Sequence, residues 1–155
     1  MNSSKPLLSI IITAYNVAEY IEFSLHSAIS QSNIDIEIIV VDDGSTDQTA
    51  EIVKRFTALD NRIKYYFHTN KGVSATRNFS LSVVNGIFFT FLDGDDLISK
   101  DFADIVLKNH ESNDVLFFDF LEEQPSGSLI EKYFKMDIPE RYEGDFKDNA
   151  FWIAD

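Results

Sequence analysis

No cysteine occurs anywhere in this 155-residue chain. Disulfides, thiolate nucleophiles and zinc–sulfur centres are therefore excluded, and the composition suits a reducing compartment. Positive charge is scarce too: 13 Lys and Arg stand against 26 Asp and Glu, a net charge of −13. Such a surface does not grip phosphate backbones, so no nucleic-acid partner is expected. An anionic ligand would need local screening, which a divalent cation supplies most simply. No apolar run approaches the roughly 18 residues of a membrane span, so no transmembrane segment is expected. The opening "MNSSKPLLSIIITAYN" lacks the small-residue cleavage pattern of a secretory signal and reads as a first strand. Also missing are a G-x-S-x-G elbow, a P-loop and a G-x-G-x-x-G fingerprint, which removes the usual hydrolase, nucleotide-phosphatase and dinucleotide-binding readings. His26, His68 and His110 are scattered without metal-ligand spacing and receive no role. The lone Trp152 reads as a core or interface residue.

What is present is apolar and regularly patterned. Apolar residues make up 45% of the chain and include 14 Phe, enough for one sizeable core. Strand-length runs fall at Leu7–Thr13, Ile36–Asp42, Ile63–Phe67, Ile87–Asp93 and Val115–Leu121. Being apolar on both faces, they suit a parallel sheet covered on both sides. Helical patterns lie between them: Ile21, Leu25, Ala28 and Ile29; Ile52, Val53 and Phe56; Ala75, Phe79, Ser82 and Val83; Phe102, Ile105 and Val106. Asn16, the Ser45–Gln48 capping box, Ser74 and Ser99 are the expected helix caps. The alternation repeats about every 25 residues and predicts an α/β fold. Its form is an open, twisted, mostly parallel, Rossmann-like sheet with helices on both faces. Residues 1–121 make up this domain. Residues 122–155 begin with the loop-like "EEQPSGS" (Glu122–Ser128) and show no clean period.

Ligands of such sheets bind at the carboxyl ends of the strands, and polar clusters sit at those ends. "FFTFLDGDDLIS" ends an apolar run in three carboxylates within four residues, Asp93, Asp95 and Asp96. Such like charges raise one another's pKa. The cluster is either an ordinary strand-to-helix turn or the oxygen-donor site of a hard divalent cation that also takes substrate phosphates. "VVDDGSTDQT" supplies Asp42 and Asp43, which either cap a turn or accept N–H donors from a ligand. In "NKGVSATRN", Gly72 permits close backbone approach. Arg77 falls near a helix start, where the macrodipole disfavours a cation. It is paired with a carboxylate or an anionic ligand, or it is simply solvated.

Together, "SIIITAYN", "EIIVVDDGSTDQT", "NKGVSATRN" and "FTFLDGDD" resemble the family 2 glycosyltransferases of GT-A fold, over about Pro6 to Phe102. The resemblance implies an inverting transferase using a nucleotide-diphosphate sugar, usually UDP-linked, with Mn²⁺ or Mg²⁺ on the D-x-D segment. The acceptor would be a glycan or glycoconjugate, as in polysaccharide or cell-envelope assembly. Carried over, Thr13, Ala14 and Tyr15 would line the uracil, Asp43 would accept from the base and Asp42 would support it. Arg77 would sit over the nucleotide or pyrophosphate. Asp93, beside Gly94, would face the ribose or donor sugar, Asp95 would bind the metal, and Asp96 could share either task. The resemblance also implies a cytoplasmic protein or one peripheral at the inner membrane face.

The sequence departs from the family downstream. No counterpart of the family's catalytic carboxylate is found: Glu122-Glu123 comes too early, and Asp145 and Asp148 lie in an irregular segment. The expectation is therefore an N-terminal donor-binding portion, with residues 122–155 opening the acceptor side, and no general base is named. Two other readings stand beside this one. The first is a donor-binding fragment without activity of its own. The second is an acidic, Mg²⁺-binding receiver-like signalling domain, disfavoured because the Asp pair follows the second strand rather than the first. A nucleotidyltransferase would show a Gly-rich basic segment near its start, which "SIIITAYN" lacks.

Overall fold

The computed structural model describes residues 5–32, 34–111, 120–123 and 128–132. The chain falls into two units, Met1–Asp114 and Val115–Asp155. In the first, the order is β1 (Leu8–Ala14), α1 (Ile21–Ile29), β2 (Ile36–Asp42), α2 (Thr49–Leu59), β3 (Ile63–Phe67), α3 (Val73–Leu81), β4 (Phe88–Asp93) and α4 (Phe102–Asn109). The four strands form one parallel sheet in the order β3-β2-β1-β4. Right-handed crossovers then put α1 and α2 on one face and α3 on the other. The chain reverses direction across the sheet between β1 and β4, which opens a crevice at their carboxyl ends.

β1 and β2 are central, and every one of their residues is buried. Ile10, Ile11, Ile12, Ile38, Ile39, Val40 and Val41 are 0% exposed. Each such side chain contributes up to about 1.5–3 kcal/mol of burial free energy. β4, at an edge of this sheet, departs from the expected two-sided cover: Phe89 is 49% exposed and packs edge-on against Phe91.

The amino ends of the strands are tied by one buried carboxylate. Glu37 accepts hydrogen bonds from Ser9 Oγ (2.6 Å), Asn85 N (2.6 Å), Gly86 N (3.2 Å) and Lys64 Nζ (2.5 Å). These partners come from β1, β3 and the turn entering β4. Burial pushes the Glu37 carboxyl up, but its donors, led by Lys64 and Ser9, outweigh that and hold it at about 2, from an ordinary 4.5.

The caps differ from the expected ones. α1 begins after Tyr20, α2 after Gln48, α3 after Gly72 and α4 after Asp101, none with a side-chain cap bond of its own. Ser45 and Asn16 are drawn instead into bonds between loops, described below. At α2 the Asp47 carboxylate takes the Thr49 N–H (2.9 Å). α3 buries Thr76 and Ser80 rather than the expected Phe79 and Ser82. Their hydroxyls are satisfied on the carbonyls of Gly72 and Arg77, so the polar atoms cost little when buried.

In the second unit, β5 (Phe120–Glu123) and β6 (Leu129–Lys132) pair antiparallel, Phe120 opposite Lys132. Glu122 and Glu123 therefore lie in a strand, not in the expected loop. The run expected as a fifth parallel strand is, where described, one arm of this pair. Only residues 124–128 separate the two strands, and a parallel crossover needs about a dozen or more. Residues 115–119, with Asp145, Asp148 and Trp152, lie outside the described residues.

Candidate functional site

The strand register sets the site. Ala14 lies opposite Asp42, and Thr13 opposite Asp93, so the loops after β1, β2 and β4 leave the sheet at one level. The first two loops are laced together. Asn16 N donates to Ser45 Oγ (2.9 Å), and Thr46 N donates to Asn16 Oδ1 (2.8 Å). Val17 N reaches Thr49 Oγ1 (3.0 Å), and Ala18 N reaches Asp47 Oδ2 (3.0 Å). Asn16 holds φ 53°, a left-handed conformation that Asn tolerates. The loop after β3 closes against Gly44 (φ +81°), where a Cβ would lie 2.6 Å from Asn70 N.

The paired aspartates divide their work. Asp42 is 0% exposed and accepts from Ser45 N (2.8 Å) and Tyr65 Oη (2.8 Å). It anchors the loop and does not line the cleft. Burial, then the hydrogen bond and charge of Asp42, push the Tyr65 phenol well above its usual range. Asp43 accepts from Lys71 N (2.7 Å) and Gly72 N (2.9 Å). Those bonds hold "NKG" against the cleft. Glycine at 72 is favoured by its φ of +86° alone, because a Cβ there would meet nothing within 4 Å.

Arg77 pairs with a carboxylate, one of the alternatives its position allowed. Its Nη2 donates to Asp93 Oδ1 (2.9 Å) and Oδ2 (3.3 Å), and Thr13 Oγ1 donates to the same Oδ1 (2.8 Å). The guanidinium lies over the Phe91 ring, 5.4 Å from its centroid, and its Nε is buried without a partner. Gly94 is buried, its N–H on Thr13 O (2.8 Å). Asp95 and Asp96 are exposed beyond it. Lost hydration, then the charges of Asp95 and Asp93, push the Asp96 carboxyl above its ordinary value.

A cleft of about 330 Å³ joins these groups, lined among others by Thr13, Ala14, Tyr15, Asp43, Asp93 and Asp95. Arg77 and Asp96 stand beside it through Asp93. A larger, more open hollow of about 530 Å³ lies on α2 among charges of both signs; it touches Asp47 and Gln48 but none of the residues expected to bind donor or metal.

Among the described residues, no three His, Cys, Asp or Glu side chains gather into a cation cage. The donors at the cleft mouth are hard carboxylate oxygens, with Asp93 already committed to Arg77 and Thr13. That set fits an ion such as Mg²⁺ or Mn²⁺, which takes one or two protein carboxylates and completes its shell with phosphate and water.

Sequence reasoning missed His68 and the lining residues Val17, Asn70, Val73 and Thr76. His68 Nδ1 lies 3.3 Å from Asp43 Oδ1 and 2.9 Å from Thr69 O. Its place two residues before Asn70 was the available signal. No helix among the described residues is long and apolar enough to cross a membrane.

Known proteins resemble this chain in sequence and in fold. A family model described as Glycosyl transferase family 2 matches residues 9–150. Glycosyltransferase GlyA of Streptococcus pneumoniae is 43% identical over 101 residues, covering 65% of this chain and 14% of that protein. The structure of S. aureus TarS 1-349 in complex with UDP-GlcNAc matches with a TM-score of 0.60 at 35% identity, over 66% of this chain and 32% of that one. The mannosyltransferase PcManGT from Pyrobaculum calidifontis, in complex with GDP-Man and Mn²⁺, matches with a TM-score of 0.58 at 27% identity, over 64% of this chain and 30% of that one. The chain thus spans a third or less of the length of each of these three. Its parallel sheet has the GT-A form, and the chain belongs to glycosyl transferase family 2.

Proposed function

We propose that this chain binds a nucleotide-diphosphate sugar, with uridine as the base. It would support inverting transfer of a hexose or N-acetylhexosamine to a hydroxyl of a glycan or glycoconjugate. The observation that carries the proposal is the convergence of Asp43, the Arg77–Asp93 pair and Asp95 on one cleft at the β1/β4 reversal. Asp43 keeps acceptor capacity beyond its two backbone donors and suits the N–H of uracil. Thr13, Ala14 and the half-exposed Tyr15 wall the base. Asp93, fixed by Arg77 and Thr13, presents its carboxylate edge to ribose or sugar hydroxyls. Arg77 holds positive charge beside the diphosphate, whose charge grows as the glycosidic bond breaks. Asp95, with Asp96, would hold Mn²⁺ or Mg²⁺, which when bound neutralises the departing diphosphate. No general base is assigned. Action on the cytoplasmic side, where sugar nucleotides are made, fits the cysteine-free composition.

The receiver-like alternative is disfavoured because Asp42 is fully buried and each of its carboxylate oxygens already accepts a hydrogen bond, Oδ1 from Ser45 N and Oδ2 from Tyr65 Oη, so a phosphoryl group would have to displace one of them. Calorimetric titration with UDP, GDP and ADP in Mn²⁺ tests the donor reading. Tightest binding of UDP, lost in Asp43→Ala, supports it. Equal affinity for all three refutes the uridine assignment.

A further inference from the structure

The acidic loop Gly94–Leu97 is fastened at both ends. At its entry, Gly94 N bonds Thr13 O (2.8 Å). At its exit the fastening comes from α1, far away in sequence. Gln31, just past the end of α1, is 2% exposed. Its Nε2 donates to Ser99 O (2.9 Å) and to Ser27 O (3.1 Å), and its Oε1 accepts from Ala103 N (3.0 Å). The last contact caps α4, which has no side-chain cap of its own. Ser27 adds a second tie, its Oγ accepting from Ile98 N (3.2 Å). Both amide hydrogens and the carbonyl of Gln31 are thus used in a dry site, where an unmet partner is costly.

We infer that Gln31, assisted by Ser27, is a positioning residue for Asp95 and Asp96. It fixes the far end of their loop on α1, so that the carboxylates meet a cation and diphosphate without first being ordered. The inference rests on the donor reading above. Gln31 touches neither substrate nor ion. It acts through Ser99 and Ala103, one step beyond a group bonded directly to a ligand, so its loss should weaken the metal site by less than the about 10–100-fold typical of such a group.

The test measures UDP binding to the whole chain by calorimetry, across a Mn²⁺ series and in chelator. Unmodified chain, Gln31→Met (similar volume, no hydrogen bonds) and Ser27→Ala are compared below their unfolding midpoints. The inference expects Gln31→Met to need several-fold more Mn²⁺ for half-maximal enhancement of UDP binding, with metal-free UDP affinity unchanged. Ser27→Ala should shift in the same direction by a smaller factor, and it decides alone if Gln31→Met does not fold. Unchanged Mn²⁺ demand in the folded variants, while the unmodified chain responds to metal, overturns this inference and spares the donor reading. No Mn²⁺ response in the unmodified chain overturns the donor reading and this inference with it.

Discussion

Replacing Glu37 by Gln isolates a buried charged anchor of the sheet. Glu37 is 4% exposed and holds three strands and the turn entering β4, the strand that ends in Asp93. Its folded pKa of about 2, against 4.5 ordinarily, corresponds to about 3 kcal/mol favouring the charged native form. Water around the half-exposed Lys64 ammonium trims this, so about 2–3 kcal/mol is expected at pH 7. Gln at this position can still accept from Ser9, Asn85 and Gly86, but its amide group has nothing to offer Lys64 Nζ at 2.5 Å. The sign follows from a depressed pKa. The stabilisation is complete above about pH 4.5 and fades as pH falls toward 2, where the folded carboxylate takes its proton. Thermal unfolding of Glu37→Gln should therefore begin about 5–10 °C lower than that of the unmodified chain at pH 7. The gap should narrow steadily below pH 4.5. A gap that is small at pH 7, or constant from pH 7 to pH 3, would refute the reasoning.

Other perturbations follow from the site. Gly44→Ala places a Cβ 2.6 Å from Asn70 N at φ +81°, and should cost about 1–3 kcal/mol in urea unfolding while weakening UDP binding, because the Asn70–Gly72 loop must move. Tyr65→Phe removes the hydroxyl that donates to buried Asp42 and should cost about 1–3 kcal/mol, read by the same unfolding curve. Arg77→Lys keeps the charge but loses the planar reach to Asp93 and the stacking on Phe91, and should weaken UDP binding in Mn²⁺ about tenfold by calorimetry. An Arg77→Lys chain that binds like the unmodified one would remove Arg77 from the donor site.

The central fold was legible because β1 and β2 are short, buried runs rich in Ile and Val, which leaves few other readings. The edges were harder. β4 looked fully buried from its Phe residues, but an apolar run does not say what lies against each face, and Phe89 stands half exposed. Residues 120–123 looked like the end of a parallel strand plus a loop, and an antiparallel partner just beyond the turn is a nonlocal fact that no period reveals. The caps misled for a related reason. Ser45 and Asn16 have the right chemistry for helix starts, but they bond each other's loop, and only the packing of β1 beside β2 brings those loops together. At the site, the local motifs pointed to the residues that line the cleft, whereas Gln31, bonded to residues about 70 positions away, left no local trace.

The donor site is tested most directly by thermal unfolding of the whole chain in UDP with Mn²⁺, in UDP with a chelator, and in Mn²⁺ alone. Ligand at about a hundred times its dissociation constant adds roughly 2.7 kcal/mol, a rise of about 5–10 °C for a chain of this size. The account predicts that full rise with UDP and Mn²⁺ together, and clearly less with either alone. The same midpoint in all three conditions would contradict it.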